Sequence, residues 1–226
     1  MTNEKLNILV AEDTIKHQES ARELLSAHTL DVVGTYKEAI KLLGDKDRLY
    51  HAVLTDLFLP WSQMPAYPLK NKPEEAMEPR AVGYPLAMFA LARGVPHVGI
   101  VSLANHHEGA MAATTDDFRE CFDYIKTGNS GICYVGNCPL LQGSQNLWFF
   151  NASERAPFLT VAAKYEDRRK NWIAALEVML GQRRPFTRED SDKLDEKESE
   201  LFGIKNPEER IIAEQRFIDE LWREQK

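Results

Sequence analysis

The chain has only three cysteines, no long hydrophobic run and no excess of positive charge. An odd, small number of cysteines in 226 residues is typical of reduced thiols rather than of a disulfide framework. No segment reaches the roughly 20 apolar residues of a transmembrane helix, and the polar start is unlike a signal peptide. A formal net charge of −7 argues against nucleic acid or an anionic membrane as a partner. These absences predict a cytoplasmic protein that binds neither nucleic acid nor a membrane.

Short apolar stretches alternate with helical patterns in the first hundred residues. We expect strands at 6–11, 30–35, 53–54 and 95–103. Amphipathic helices are predicted at 15–27 and 36–43, and a helix rich in small residues at 86–92. Because strands that alternate with helices form a parallel sheet with right-handed crossovers, the sequence predicts an α/β fold. A hydrophobic content of 43% is sufficient for its core.

Acidic residues follow two of the predicted strands. Glu12 and Asp13 come directly after the first strand, and Asp56 comes after the third, before the strand-breaking Pro60. The carboxyl ends of parallel strands meet at one edge of a sheet, where ligands of such folds bind. Three carboxylates at one point repel each other unless a cation lies between them, and an oxygen-only site suits Mg²⁺. The sequence therefore predicts a magnesium site at this edge.

The segments ILVAED and AVLTDLFLP resemble the receiver domains of bacterial two-component response regulators. That family has an acidic pair after one strand, a phosphoacceptor aspartate after another and a proline four residues further on, and Asp56 and Pro60 fit this pattern. Ser102, at the end of the predicted fourth strand, is similar to the family's hydroxyl residue. The resemblance implies a flavodoxin-like, doubly wound five-stranded parallel sheet, to which this chain adds a long insertion after the third strand and a C-terminal helical extension.

The resemblance also implies an activity and partners. Asp56 would accept a phosphoryl group from a histidine kinase or a phosphotransfer protein, Ser102 would contact the phosphoryl oxygens, and the chain would change its affinity for an unknown downstream protein. Beyond phosphorylation and dephosphorylation of itself, no enzymatic activity is implied. The ligands of Mg²⁺ would be the three carboxylates and one backbone carbonyl, those of Glu12, Asp13, Asp56 and Phe58.

The family's lysine, which contacts the phosphoryl group, has no obvious counterpart. The segment 131–137 is the best fifth strand, and Tyr134 falls three residues before Asn137 as an aromatic residue falls three before the family's lysine. On this register Asn137 replaces the lysine, and its neutral amide donates a hydrogen bond without neutralising charge. Lys126 and Lys164 are the alternatives.

The predicted receiver-like domain spans 1–181 and contains two irregular segments, an insertion at about 61–84 and an excursion at about 138–157. Six of the eleven prolines lie between 60 and 85, which excludes a continuous helix there. The insertion is either a surface loop or a lid or docking segment. More narrowly, the chain is similar to uncharacterised receiver-like proteins that have a proline-rich insertion and an Asn-His-His element.

That element is Asn105, His106 and His107, shortly after Ser102. Asn105 and His106 are candidate pocket residues. The two histidines are also candidate zinc ligands with Cys133 or Cys138, although the spacing matches no recognised zinc motif. Their ordinary interpretation is a helix cap or a surface feature.

A helix is predicted at 165–180, followed by a charged helical extension at 182–226. Apolar residues recur at helical spacing from Ile211 to Trp222, which predicts a helix that docks on its own domain or pairs with another protein, as in a homodimer. Three functions follow from the sequence. The first is a receiver-like signalling protein that accepts phosphate, the second a pseudo-receiver that binds without phosphotransfer, and the third a metal-dependent hydrolase that uses Asp56 with the histidines.

Overall fold

The computed structural model describes residues 5–61, 81–102, 123–127, 133–137, 146–151, 160–161, 169–182, 192–193, 196–197 and 200–223. The strands are β1 Asn7–Ala11, β2 Thr29–Val33, β3 Ala52–Thr55, β4 His97–Ser102, β5 Asp123–Thr127, β6 Cys133–Asn137, β7 Asn146–Asn151, β8 Thr160–Val161 and β9 Arg169–Lys170. The helices are α1 Ile15–Leu24, α2 Tyr36–Gly44, α3 Gly83–Ala92, α4 Trp172–Met179 and α5 Pro207–Arg223.

Seven of these strands form one sheet in the order β2-β1-β3-β4-β7-β6-β5. The first five strands of this order are parallel, whereas β6 is antiparallel to β7 and β5 is antiparallel to β6. The α/β class and the five parallel strands are therefore confirmed, and their order is compatible with a flavodoxin-like fold. The strands β8 and β9 form a separate two-stranded sheet.

The fifth parallel strand is β7, Asn146–Asn151, and not the predicted 131–137. The segment 133–137 is instead β6, the antiparallel neighbour of β7. The strand β7 lies inside the segment 138–157 that the sequence indicated as irregular. Its Leu147, Phe149 and Phe150 are buried, which explains why this apolar run takes an interior position in the sheet.

Helices cover both faces of the sheet. Along β1, Ile8 and Val10 point to one face and Leu9 and Ala11 to the other, as the two-residue period of a strand requires. The first face packs on α1, α4 and α5, and the second on α2 and α3. The last four residues of β1 and all of β3 are buried, as is typical of parallel strands covered on both faces. The last residues of these two strands lie side by side at the carboxyl edge of the sheet.

The C-terminal helix α5 contributes to the first of these cores. Ile218 and Leu221 are 1% and 4% exposed, and they belong to the same cluster as Trp172 of α4. These contacts agree with the helix that docks on its own domain. In the described parts of the chain, no helix combines the length and apolarity of a membrane span.

The two ends of the proline-rich insertion are both hydrogen-bonded to the described fold. At the first end, the amides of Tyr36 and Lys37 donate to the carbonyls of Pro60 and Trp61, and the ring of Trp61 stacks on Tyr36 at 4.8 Å between centroids. At the second end, the amide of Gly83 donates to the carbonyl of Leu57 at 2.9 Å. Residues 62–80 lie outside the described part, and Gly83, at the second end, lies against the backbone of Asp56.

Candidate functional site

Three acidic residues converge at the carboxyl edge of the sheet. Glu12 and Asp13 follow β1, Asp56 follows β3, and the amide of Asp56 donates to the carbonyl of Ala11 at 2.8 Å, which joins the two strand ends. One carboxylate oxygen of each acid lies within 4.8 Å of the other two. The acids therefore form a single cluster that could hold a metal ion, as the strand pattern predicted.

A buried lysine completes this cluster. The Nζ atom of Lys170, the last residue of β9, lies 2.6 Å from Oε2 of Glu12 and 2.9 Å from Oδ1 of Asp56. The side chain of Lys170 is 1% exposed, that of Glu12 is 0% exposed and that of Asp56 is 14% exposed. The ammonium group is thus enclosed by protein, whereas the Asp56 carboxylate still reaches solvent.

Lys170, and not Asn137, is the residue that lies beside the Asp56 carboxylate. Asn137 pairs with Asn146, which pairs with His97 at the start of β4, so Asn137 lies at the opposite edge of the sheet from Asp56. Lys126 lies on the outermost strand β5, with β6, β7 and β4 between it and β3. Lys164 lies outside the described residues. In the described structure, the group beside Asp56 is therefore the ammonium of a lysine and not the neutral amide of Asn137.

Lys170 was missed because the last helix was expected to begin too early. The sequence predicted a helix from 165, which would place Lys170 in its interior, but α4 begins at Trp172. Asn171 is the N-cap, and its side chain accepts the amide hydrogen of Ala174 at 3.2 Å. A typical N-cap residue before an apolar helical run was the available signal, and it would have placed Lys170 before the helix rather than inside it.

The charges of the cluster hold Lys170 in its cationic form. Burial by itself lowers the pKa of Lys170, but the carboxylates of Asp56 and Glu12 together outweigh this effect and raise the pKa above its ordinary value. Burial raises the pKa of Glu12, an effect that the charge of Lys170 opposes and that of Asp56 reinforces. We therefore describe Lys170 as an ammonium ion shared between two carboxylates.

The acids differ in how many of their oxygens are already engaged. Glu12 accepts the Thr14 amide on Oε1 at 3.0 Å and Lys170 on Oε2. Asp56 accepts the Leu57 amide on Oδ1 at 2.7 Å, beside Lys170, and no hydrogen bond from the described residues reaches its Oδ2. Asp13 is partly exposed, and its Oδ1 accepts the Thr14 hydroxyl at 3.4 Å. Asp13 and Asp56 are therefore the most accessible ligands for an added cation.

The donor set fits a hard divalent cation. Three carboxylates and one ammonium leave two negative charges in excess, and the available atoms are all oxygens, which Mg²⁺ and Ca²⁺ prefer. Phe58, whose backbone carbonyl is a predicted ligand, follows Asp56 by two residues, and its side chain packs partly against the core of α2 and α3.

The other predicted residues differ in where they lie. Ser102 is buried at the last position of β4, beside the end of β3, and is thus at the same sheet edge as Asp56. Asn105, His106, His107 and Cys138 lie outside the described residues, so the pocket and zinc hypotheses stay predictions. Cys133 begins β6.

A buried histidine adjoins the lysine. His17 of α1 is 3% exposed, and its Nδ1 accepts the backbone amide of Lys170 at 3.3 Å. Burial lowers the pKa of His17 to about 3, and the positive charges of Lys170, Lys16 and Arg169 act in the same direction. His17 is therefore neutral at physiological pH, which leaves Nδ1 free to accept a hydrogen bond.

The lowered pKa of His17 predicts a pH-dependent stability. Between pH 6.5 and about 3 the unfolded chain binds a proton at this position and the folded chain does not. The free energy of unfolding should therefore fall as the pH is lowered through this range, by about 1.4 kcal/mol per pH unit from this residue. Urea unfolding at pH 7, 6, 5 and 4 measures how the free energy of unfolding changes with pH. In His17→Asn this slope should be smaller by the contribution of one proton, about 1.4 kcal/mol per pH unit. An unchanged slope would contradict the assignment.

No family model matches this chain, and neither a curated protein nor a solved structure is significantly similar to it. Its function is therefore inferred from the fold and from the geometry of the acidic cluster.

Proposed function

We propose that this chain is a receiver-like signalling protein of the flavodoxin-like type, which accepts a phosphoryl group on Asp56 with Mg²⁺ and thereby changes its affinity for a protein partner. The observation that carries the proposal is the contact of Lys170 Nζ with the Asp56 carboxylate, 2.9 Å away, inside an acidic cluster that is open to solvent at Asp56. An ion pair that served only the stability of the fold would not need Asp13, a third carboxylate that is accessible to solvent.

The contacts of the Asp56 carboxylate support distinct roles for its two oxygens. Oδ1 is held by the Leu57 amide and by Lys170, so Oδ2 is the oxygen available to attack phosphorus. A new O–P bond would form as the P–N bond of a phosphohistidine breaks, and the imidazole would leave with the electron pair and take up a proton. The product is an acyl phosphate on Asp56.

The charged groups around Asp56 suit this transfer. Lys170 is held as a cation beside the attacking carboxylate and can donate to a phosphoryl oxygen, because an ammonium group carries three hydrogens. Mg²⁺ held by Asp13 and Asp56 would offset the charge of the transferring group. Ser102, at the end of the neighbouring strand, would donate its hydroxyl to the same group.

The proposal includes the partners that this chemistry needs. The donor would be the phosphohistidine of a histidine kinase or of a phosphotransfer protein, in the cytoplasm, and the downstream partner would be another protein. The metal-dependent hydrolase gains no support from the described residues, since His106 and His107 lie outside them.

Beryllofluoride, which mimics a phosphoryl group on a carboxylate, tests the proposal. With Mg²⁺ present, the wild-type chain should form a complex that gives a bound signal in fluorine NMR, and Asp56→Asn should form none, because the amide offers no anionic oxygen. Asp13→Asn should weaken Mg²⁺ binding by about tenfold or more. Asp47→Asn, which changes an exposed aspartate three residues after the end of α2, should behave as the wild type.

Two results would decide against phosphotransfer. If the wild-type chain forms no complex at saturating beryllofluoride and Mg²⁺, a pseudo-receiver that binds without phosphotransfer becomes the better hypothesis. If Asp56→Asn binds as well as the wild type, the anion is bound elsewhere.

A further inference from the structure

The backbone of Lys170 is held on both sides by helix α1. Its amide donates to Nδ1 of His17 at 3.3 Å, and its carbonyl accepts the hydroxyl of Ser20 at 2.8 Å. His17 and Ser20 are three residues apart and therefore lie on the same face of α1. All three residues are at most 3% exposed, so these hydrogen bonds are made away from solvent.

A third contact joins the same elements. The indole Nε1 of Trp172 donates to the carbonyl of His17 at 2.9 Å, and the ring of Trp172 lies 5.3 Å from Lys170 Nζ, within range of a cation–π interaction. Trp172 is fully buried. The segment from Lys170 to Trp172 is thus bonded to one turn of α1 through both its backbone and its side chains.

The main sheet does not supply this support. Lys170 belongs to β9, a strand of two residues that pairs with β8 and not with any strand of the main sheet. A lysine side chain has several rotatable bonds, so its Nζ reaches two carboxylates at once only if its backbone is well fixed. In the described structure the backbone hydrogen bonds of Lys170 to α1 meet this need.

We propose that His17 and Ser20 are positioning residues, which hold Lys170 so that its ammonium group bridges Glu12 and Asp56. This inference rests on the proposed function where it concerns the phosphoryl group, because Lys170 would then also contact that group. It adds that the orientation of α1 controls the affinity of the site for a phosphoryl group, while the metal ligands Asp13 and Asp56 are held by the strand ends.

The test compares variants that remove the hydrogen bonds with variants that keep them. His17→Leu and Ser20→Ala each remove one partner of Lys170. His17→Asn keeps an acceptor near the position of Nδ1, and Ser26→Ala removes an exposed hydroxyl at the end of α1 as the matched control. Each variant is titrated with Mg²⁺ alone and with beryllofluoride at saturating Mg²⁺, and the ammonium signal of Lys170 is recorded by nitrogen NMR.

A positioning role predicts a separation of the two affinities. The double variant His17→Leu/Ser20→Ala should bind beryllofluoride about tenfold or more weakly but bind Mg²⁺ within about twofold of the wild type. Its Lys170 ammonium should exchange faster with water. His17→Asn should restore most of the beryllofluoride affinity, and Ser26→Ala should change nothing. Wild-type values of both the affinity and the ammonium exchange in the double variant would overturn the inference.

The experiment separates this inference from the proposed function. If the wild-type chain binds no beryllofluoride, the proposed function fails, and the ammonium exchange of Lys170 alone decides whether His17 and Ser20 position it. If the double variant does not fold, Ser20→Ala alone is compared with Ser26→Ala by the same exchange measurement, and equal exchange rates would overturn the role of Ser20.

Discussion

Replacing Lys170 with methionine should destabilise the fold by about 3–5 kcal/mol at neutral pH, because it leaves the carboxylate of Glu12 buried without its cationic partner. Glu12 is 0% exposed, and from the described residues its carboxylate accepts one other hydrogen bond, that of the Thr14 amide. Methionine fills a similar volume, so the loss reports the uncompensated charge rather than a cavity. Urea unfolding monitored by tryptophan fluorescence and circular dichroism measures the change.

Two further variants make this prediction specific. Lys41→Met, at an exposed position of α2, should change stability by less than about 0.5 kcal/mol. Adding Glu12→Gln to Lys170→Met removes the unpaired buried charge of Glu12. It should restore at least about 2 kcal/mol of the free energy of unfolding. Additive effects of the two substitutions would contradict a shared ion pair.

The loss of unfolding free energy in Lys170→Met should depend on pH in one direction. Burial raises the pKa of Glu12 above the ordinary 4.5, so the folded variant binds a proton there more readily than the unfolded chain does. A raised pKa in the folded state contributes stability that is present at low pH and lost as the pH rises. The deficit relative to the wild type should therefore be largest at neutral pH and shrink as the pH falls towards 4.5.

Gly83→Ala should destabilise the fold by about 3 kcal/mol and also weaken the binding of beryllofluoride. A Cβ at Gly83 would lie 2.3 Å from the carbonyl oxygen of Asp56 and 2.7 Å from Cα of Leu57. Both are backbone atoms at the end of a buried strand, so relief of the clash must move either α3 or Asp56 itself. Unfolding by urea and the beryllofluoride titration measure the two effects.

Gly44→Ala is the matched control for this substitution. Gly44 is the last residue of α2, and a Cβ there would meet nothing within 4 Å. Alanine at such a helical position should stabilise the fold by about 0.5–1 kcal/mol. Opposite signs for the same chemical change would show that the loss at Gly83 arises from its contact with the Asp56 backbone. A neutral Gly83→Ala would contradict the close approach of α3.

The acidic cluster was predictable because it depends on local patterns. An apolar strand that ends in acids is visible in a few residues around Asp13 and around Asp56, and parallel strands bring their ends to one edge whatever connects them. The fifth parallel strand was not predictable in this way. Both 133–137 and Asn146–Asn151 are strands of the same sheet, and no local signal states which of them pairs with β4.

Lys170 was harder to find for a different reason. Its contacts with Glu12 and Ser20 join residues 158 and 150 positions apart, and its own strand has two residues, too few to show a period. Only the cap at Asn171 marks its place locally. Contacts of such separation follow from how α1 and α4 pack on one face of the sheet.

The anchoring of the proline-rich insertion at both ends makes it an exchangeable module. Pro60 and Trp61 are bound to the start of α2, and Gly83 is bound to Leu57, so the strand end that carries Asp56 is fixed independently of what lies between these anchors. Residues 62–80 can therefore be exchanged for another segment without moving the strand end that carries Asp56.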